Sequence, residues 1–320
     1  MGLIFVFVDG VGLGNVDDNN PFVLSTYSSF TELSGGHSFT KEAPSYITEK
    51  SFFTPIDACL QVEGLPQSGT GQSTLFSGIN TSKKLGRHFG PYPHSSIRSF
   101  LKEDSLFYKL KKQRKTPCFI NAFPEVFFTF SEKRNRWSCT TLMAKSSGIK
   151  LNSIEEVLKG RAITAELTQE VWKNKLYKQV PVITEADAAG RVLKAAEQFD
   201  LVLMEYYLTD KAGHDRNPDF VSSVLTQFDL FLKVLLDGAK QNGHSLLLTS
   251  DHGNVEDISV KTHTLNKVPF YFYGWHHEVF RNIQSIQEVT PLCLEWIKQE
   301  SQKVFYPQEM KQEIRTHYPG

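Results

Sequence analysis

Residues 3–12 read LIFVFVDGVG, and the fold turns on that stretch. Six consecutive apolar, β-favouring residues without polar alternation are the pattern of a strand covered on both faces, as in parallel sheets. The DGVG that follows breaks the run and predicts a loop, so Asp9 falls at the carboxyl end of the strand. The same profile recurs at CFINAF (118–123), LVLMEY (201–206), SLLLTS (245–250) and VPFYFYG (268–274). Between these runs the apolar period changes to that of a helix. Val221, Val224, Leu225, Phe228, Phe231, Leu232, Leu235 and Leu236 share one face, and Gly238 is expected to stop that helix. Thr184 with Asp187 predicts a capped start for a helix whose apolar face is Ala188, Ala189, Val192, Leu193 and Ala196. Thr290-Pro291 predicts another start, carrying Leu292, Cys293, Trp296 and Ile297. Strands alternating with helices of this length predict an α/β fold, a doubly wound, mostly parallel sheet.

The stretch 124–181 breaks the rhythm with PEVFFTF, the basic EKRNRW and a Ser/Thr-rich run, and reads as a small insertion or cap. The core is then expected in 1–123 and 182–306, with 307–320 a polar C-terminal extension. The 320 residues are 40% hydrophobic and 22% charged, which excludes collagen-like, coiled-coil and disordered classes. Thirty-five Lys+Arg balance 35 Asp+Glu, so no overall basic field is available for a nucleic-acid polymer or an anionic membrane. Cys59, Cys118, Cys139 and Cys293 form no CxxC pair and read as reduced thiols. The short N-terminal apolar run meets Asp9 where a secretory segment would continue, and no run is long enough for a membrane span. A cytoplasmic enzyme is the expectation; the oligomeric state stays open.

Open α/β sheets bind ligands beyond the carboxyl ends of their strands, where this chain concentrates acids and imidazoles. Asp9 lies between a strand and two glycines. Asp210 and His214, in LTDKAGHDRNP, are spaced to face one way on a helical turn and suit one divalent ion, although a capping Asp with a surface His is the plainer alternative. Asp251 and His252, in LLLTSDHGN, are delivered together by a buried strand, and His263 in KTHTLNKVPF supplies a third imidazole. GLPQSGTGQSTLFSG, residues 64–78, is a Gly- and hydroxyl-rich loop entering a helix. It lacks the GK[ST] of a phosphate-binding P-loop but could present a hydroxyl nucleophile and backbone N–H groups to an oxyanion.

In this order and spacing the five segments VDGVG, GLPQSGTGQST, DKAGH, TSDHGN and THTLNKVPFYFYG resemble the alkaline phosphatase superfamily, most closely the branch of cofactor-independent phosphoglycerate mutase and phosphopentomutase. The resemblance covers the core and leaves 124–181 unmatched. It implies two divalent metal ions, Mn or Zn, with Asp210, His214 and His263 on one and Asp9, Asp251 and His252 on the other beside the nucleophile. GLP at 64–66 and Gly71 place Ser73 on the family's Ser/Thr nucleophile, itself also a metal ligand, with Thr70 as the fallback. Gln72 stands where the mutase has Asn and the pentomutase Asp. The implied chemistry is in-line attack of the serine on a phosphoryl group, giving a phosphoserine that water then releases.

The insertion is shorter than the mutase's arginine-rich second domain, which favours hydrolysis of phosphate mono- or diesters over transfer within one molecule. A phosphomutase is the alternative. A sulfatase lacks its Cys/Ser-x-Pro-x-Arg motif here, and a non-catalytic binding module would not need all six ligands and a hydroxyl. For the small phosphorylated substrate the basic candidates are Arg87 and His88 in KKLGRHFGPYP, then Arg136, Lys145 and Arg161. Phe127, Phe128 and Trp137 could wall a ring or else pack in the core.

Overall fold

A computed structural model describes residues 2–303; the extension expected at 307–320 lies outside them. The segment LIFVFV is strand β1 (Leu3–Val8), buried along its whole length. β1 is central because it is flanked on both sides: β5 (Leu201–Tyr206) and β6 (Ser245–Thr249) both pair with it in parallel. With β2 (Tyr46–Ile47), β3 (Ser51–Ile56), β4 (Pro117–Phe119) and β7 (Val268–Tyr273) the sheet has seven strands in the order β2-β3-β7-β6-β1-β5-β4.

Successive side chains of β1 enter different layers, as a pleated strand demands. Ile4, Val6 and Val8 pack with Ala188, Val192, Leu225 and Phe228 of the helices Glu185–Ala196 and Pro218–Asn242. Leu3, Phe5 and Phe7 pack on the other face with Leu75 and Phe76 of the Ser68–Ser77 helix and with Cys293 and Trp296 of the Val289–Lys303 helix. The sheet is therefore doubly wound, as the uninterrupted apolar run predicts. Phe76 meets Phe7 edge-on at 5.3 Å and seats the Ser68–Ser77 helix on the sheet.

The sheet is mixed. β4, β5, β1 and β6 are parallel, whereas β7 runs antiparallel between β6 and β3. β3 gives little sequence signal because Pro55 interrupts its SFFTPI run. Of CFINAF only Cys118 and Phe119 join the β4 ladder, with isolated bridges following at Asn121 and Ala122. Beyond it the Asn121 amide takes over, accepting from Glu205 N at 2.8 Å and donating to Glu205 O at 2.7 Å.

The helix expected to stop at Gly238 continues to Asn242 and is capped by Gly243 in the left-handed region. Gly238 serves contact instead: a Cβ there would sit 2.3 Å from Leu193 Cδ1 on the neighbouring helix. Thr184 and Asp187 do form a reciprocal cap. The stretch 124–181 holds the short helices Glu125–Arg134, Cys139–Ser146, Ile154–Leu158 and Glu170–Asn174. It is not wholly a cap, because Trp137, Cys139, Met143 and Leu151 are buried in the same layer as Phe5 and Phe7. Among the described residues no helix is long and apolar enough to cross a membrane.

Candidate metal centre

Three parallel strands end at one edge of the sheet, and each delivers an acid or leads directly to one. Asp9 follows β1, Asp210 lies in the Leu208–Asp215 helix just after β5, and Asp251-His252 follow β6. β7 enters the sheet at this same edge because it runs antiparallel to β6, so His263, which precedes it, arrives beside them. A parallel last strand would have carried His263 to the opposite edge.

The six expected ligands come together in two groups, Asp9–Asp251–His252 and Asp210–His214–His263. In the first, Asp9 Oδ1 and Asp251 Oδ2 each lie 3.4 Å from His252 Nε2. Both oxygens are buried without a hydrogen-bond partner, an arrangement whose desolvation only a cation or a proton offsets. Burial and then the Asp251 charge push Asp9 well above the usual carboxylate range, and burial with the Asp210 charge lifts Asp251 to about 7. Burial lowers the His252 imidazole.

In the second group His263 Nε2 lies 3.2 Å from His214 Nε2, and these atoms lie 3.5 Å from Asp210 Oδ1 and Oδ2 respectively. His263 Nδ1 is 2.6 Å from Pro66 O and His214 Nδ1 2.9 Å from Lys261 O. Each carbonyl can only accept, so each ring carries its proton on Nδ1 and turns an Nε2 lone pair inward. Burial, followed by the neighbouring His252, drops His263 to about 4, leaving it neutral and ready to ligate. Two convergent lone pairs with carboxylates, and no thiolate, form a donor set suited to Zn²⁺ or Mn²⁺. The chain's own residues thus fit two divalent ions.

The structure does not bring Ser73, the expected nucleophile, to the candidate ligands. Ser73 lies in the middle of the Ser68–Ser77 helix, is fully buried, and donates to Gly69 O at 2.6 Å with Cys139 Sγ at 3.5 Å. Helical geometry turns it back along its own helix, away from both groups. Thr70, the fallback, is equally buried; its hydroxyl donates to Gln67 O and accepts from Phe89 N. The hydroxyl that reaches the ligands is Ser68, first residue of the helix, with Oγ 3.0 Å from His252 Nε2. Gln72 donates to Asp9 Oδ2 at 3.2 Å and so orients a ligand.

Ser68 lines a cleft of about 350 Å³ with Gln67, Gly90, Pro91, Asp210, His214, Thr262 and His263. A neighbouring cleft of about 460 Å³ shares Gln67 and Gly90 with it and is lined by Arg87 and His88. Arg87 thus lines the cleft next to the one that holds Ser68. His88 is tied to Ser82 Oγ and Val62 O, both at 3.2 Å, and holds the loop. Arg136 is exposed over the Tyr92 ring, and Lys145 lies over Trp137 beside Glu132; neither lines these clefts, nor does the exposed Arg161. Phe127 packs against Phe123 and Trp137, so this aromatic group, with Trp137 buried and Phe127 and Phe128 partly buried, packs onto the core and is not an open wall. A groove of about 490 Å³ between the Glu125–Arg134 helix and residues 175–178 contains none of the site's acids or imidazoles.

Sequence reasoning missed Glu205. It is buried at the end of β5, raised to about 7 by burial and by Asp251, and accepts from Thr140 Oγ1 at 2.6 Å. The lone acid in LVLMEY was the available signal.

Fold and site together define an α/β protein with paired cation-ligand groups and a serine at one sheet edge. The chain belongs to the metalloenzyme superfamily, whose model matches residues 1–301. Divalent metal ions belong with that family. Over 127 residues the chain is 28% identical to a 2,3-bisphosphoglycerate-independent phosphoglycerate mutase of Mycoplasma pneumoniae, a match covering 38% of this chain and 25% of that one. The chain thus spans about a quarter of that relative's length. In fold it is similar to a protein of Pyrococcus horikoshii (TM-score 0.55, 12% identity, 93% of this chain and 96% of that one). It is also similar to the alkaline phosphatase of the Antarctic bacterium TAB5 (TM-score 0.51, 14% identity, 93% and 98%).

Proposed function

We propose that this chain is a divalent-metal-dependent hydrolase of phosphate esters that acts through a phosphorylated Ser68. The observation that carries the proposal is the approach of Ser68 Oγ to His252 Nε2, at 3.0 Å, inside the group that also holds the unpartnered Asp9 Oδ1 and Asp251 Oδ2. Ions bound there would make a serine hydroxyl acidic enough to attack near neutral pH and offset charge on a phosphoryl group.

The chain's residues do the rest. Ser68 stands at the N-terminus of the Ser68–Ser77 helix, the positive end of its dipole, which would favour the negative charge of a phosphoryl group attached there. Gln72 fixes Asp9, while Pro66 and Lys261 fix the imidazoles, so little has to reorganise during the reaction. Arg87, in the neighbouring cleft, would hold a second anionic or polar part of a small phosphorylated substrate.

Hydrolysis is favoured over a phosphomutase because Arg136, Lys145 and Arg161 stand outside the cleft. One arginine, Arg87 in the neighbouring cleft, gives little hold on a dephosphorylated product awaiting return of its phosphoryl group. The test is release of phosphate or nitrophenol from para-nitrophenyl phosphate and its diester by metal-stripped protein resupplied with Mn²⁺ or Zn²⁺. Turnover should require the ion, fall at least about 10³-fold in Ser68→Ala, and stay within about threefold in Ser73→Ala. Isomerisation of a phosphosugar or phosphoglycerate without release would replace the hydrolase with the mutase, and an active Ser68→Ala would remove Ser68 from the chemistry.

A further inference from the structure

Glu256 is buried, 1% exposed, and takes no part in the chemistry above. Its carboxylate accepts from Gly12 N at 2.9 Å, Asn254 N at 2.7 Å, Asn266 Nδ2 at 3.0 Å and Thr264 Oγ1. The donors come from three segments, each carrying ligands: the loop after Asp9, the turn after Asp251-His252, and the run around His263. Asn254 extends the set to the second group by donating through Nδ2 to Asp210 Oδ1 at 2.6 Å and Asp210 O at 3.1 Å. Two glycines make room for this carboxylate, since a Cβ on Gly12 or Gly253 would come within 2.4 or 2.2 Å of Glu256 Oε1.

Resting on the two-metal reading, we infer that Glu256 is a positioning residue for both metal sites, a carboxylate clamp that holds three ligand-bearing loops in one register. A carboxylate has only acceptor sites, so it can satisfy donors from all three loops at once. Gln at this position would turn an NH₂ toward one pair of donors, and the loops it faces would part. The ligands would then be present but misplaced, which weakens metal binding more than it weakens the fold.

The experiment is competition of Zn²⁺ and Mn²⁺ with a chromophoric chelator for wild type, Glu256→Gln, Asn266→Ala and Asp229→Asn, with the Tm of each metal-free protein. Asp229 is the control: a buried carboxylate that accepts from Ser28 N and Ser29 N in the layer beneath the sheet. Glu256→Gln should weaken both ions about 10- to 100-fold and Asn266→Ala about three- to tenfold, while Asp229→Asn lowers Tm with affinities within about threefold of wild type. Wild-type-like affinity in Glu256→Gln, or equal weakening in Asp229→Asn, overturns the inference. If Glu256→Gln does not fold, Asn266→Ala decides, and unchanged affinity there overturns it too. A wild type that binds neither ion overturns the two-metal reading itself and this inference with it.

Discussion

A hydroxyl's place on its helix settles what it can do. Ser73 and Ser68 occupy the same helix five residues apart, yet one caps a carbonyl of its own helix and the other meets His252. The difference is one of position: a helix-interior serine has an acceptor four residues back, and a first-turn serine has none and projects beyond the helix. Arg87 belongs to the same scale. It lines the neighbouring cleft, apart from the candidate metal ligands, so Arg87→Ala should raise KM about tenfold and leave kcat within about threefold. Arg136→Ala and Lys145→Ala should leave both constants unchanged, and steady-state kinetics on the ester that the wild type prefers checks all three. An unaltered KM in Arg87→Ala removes it from the site.

At the scale of elements, the SGTG start of the Ser68–Ser77 helix is a device for close approach. A Cβ on Gly69 would lie 2.3 Å from Tyr92 O and 2.6 Å from Phe89 O, both backbone atoms that cannot swing aside. Gly69→Ala should therefore push loop 89–92 off the helix, cost about 1–3 kcal/mol, and reduce turnover by displacing Ser68. Gly190 is the counter-case, a helical glycine whose added Cβ meets nothing within 4 Å. Gly190→Ala should raise stability by about 0.5–1 kcal/mol with activity unchanged. Chemical denaturation of the two variants beside wild type separates them, and a stable, fully active Gly69→Ala would contradict the contact. The SGTG pattern was visible in the sequence as a loop entering a helix. Which of its hydroxyls faces the ligands was not, because that depends on where the helix begins and on what leans against it.

For the whole molecule, the assembled charges predict how stability depends on pH and metal. In the metal-free protein Asp251 and Glu205 are raised to about 7, from ordinary values of 3.8 and 4.5, and Asp9 is raised as well. The folded state then holds more protons than the unfolded chain, and this contribution is lost as pH rises through about 7. His252 and His263, lowered from 6.5, act in the opposite sense, adding stability as pH rises toward 6.5 and nothing further above it. Above that point only the carboxylates remain. The Tm of chelator-treated protein should fall between pH about 6.5 and about 8, and Zn²⁺ or Mn²⁺ should reduce the fall by satisfying the Asp9 and Asp251 oxygens. A metal-free Tm that is flat or rising across the interval would contradict this account.

By itself the sequence determined the layered α/β fold and the six candidate ligands. LIFVFV can be buried on two faces only at the middle of a covered sheet, and strands that end in acids must offer them at one edge. Thr184 and Asp187 likewise fixed a helix start, because a capping box is made within four residues. The tertiary structure alone decided the rest. It ran β7 antiparallel, which brought His263 to the ligand edge. It carried the Pro218–Asn242 helix past Gly238, and it drew Trp137 and Cys139 of the expected cap into the core. It also turned Ser68, and not Ser73, toward His252 and gathered three loops on Glu256. The physical reason is common to all of these. A strand's burial and a helix's cap are local properties written in neighbouring residues, whereas strand direction, glycine contacts and the facing of a hydroxyl depend on groups as far as 244 residues away.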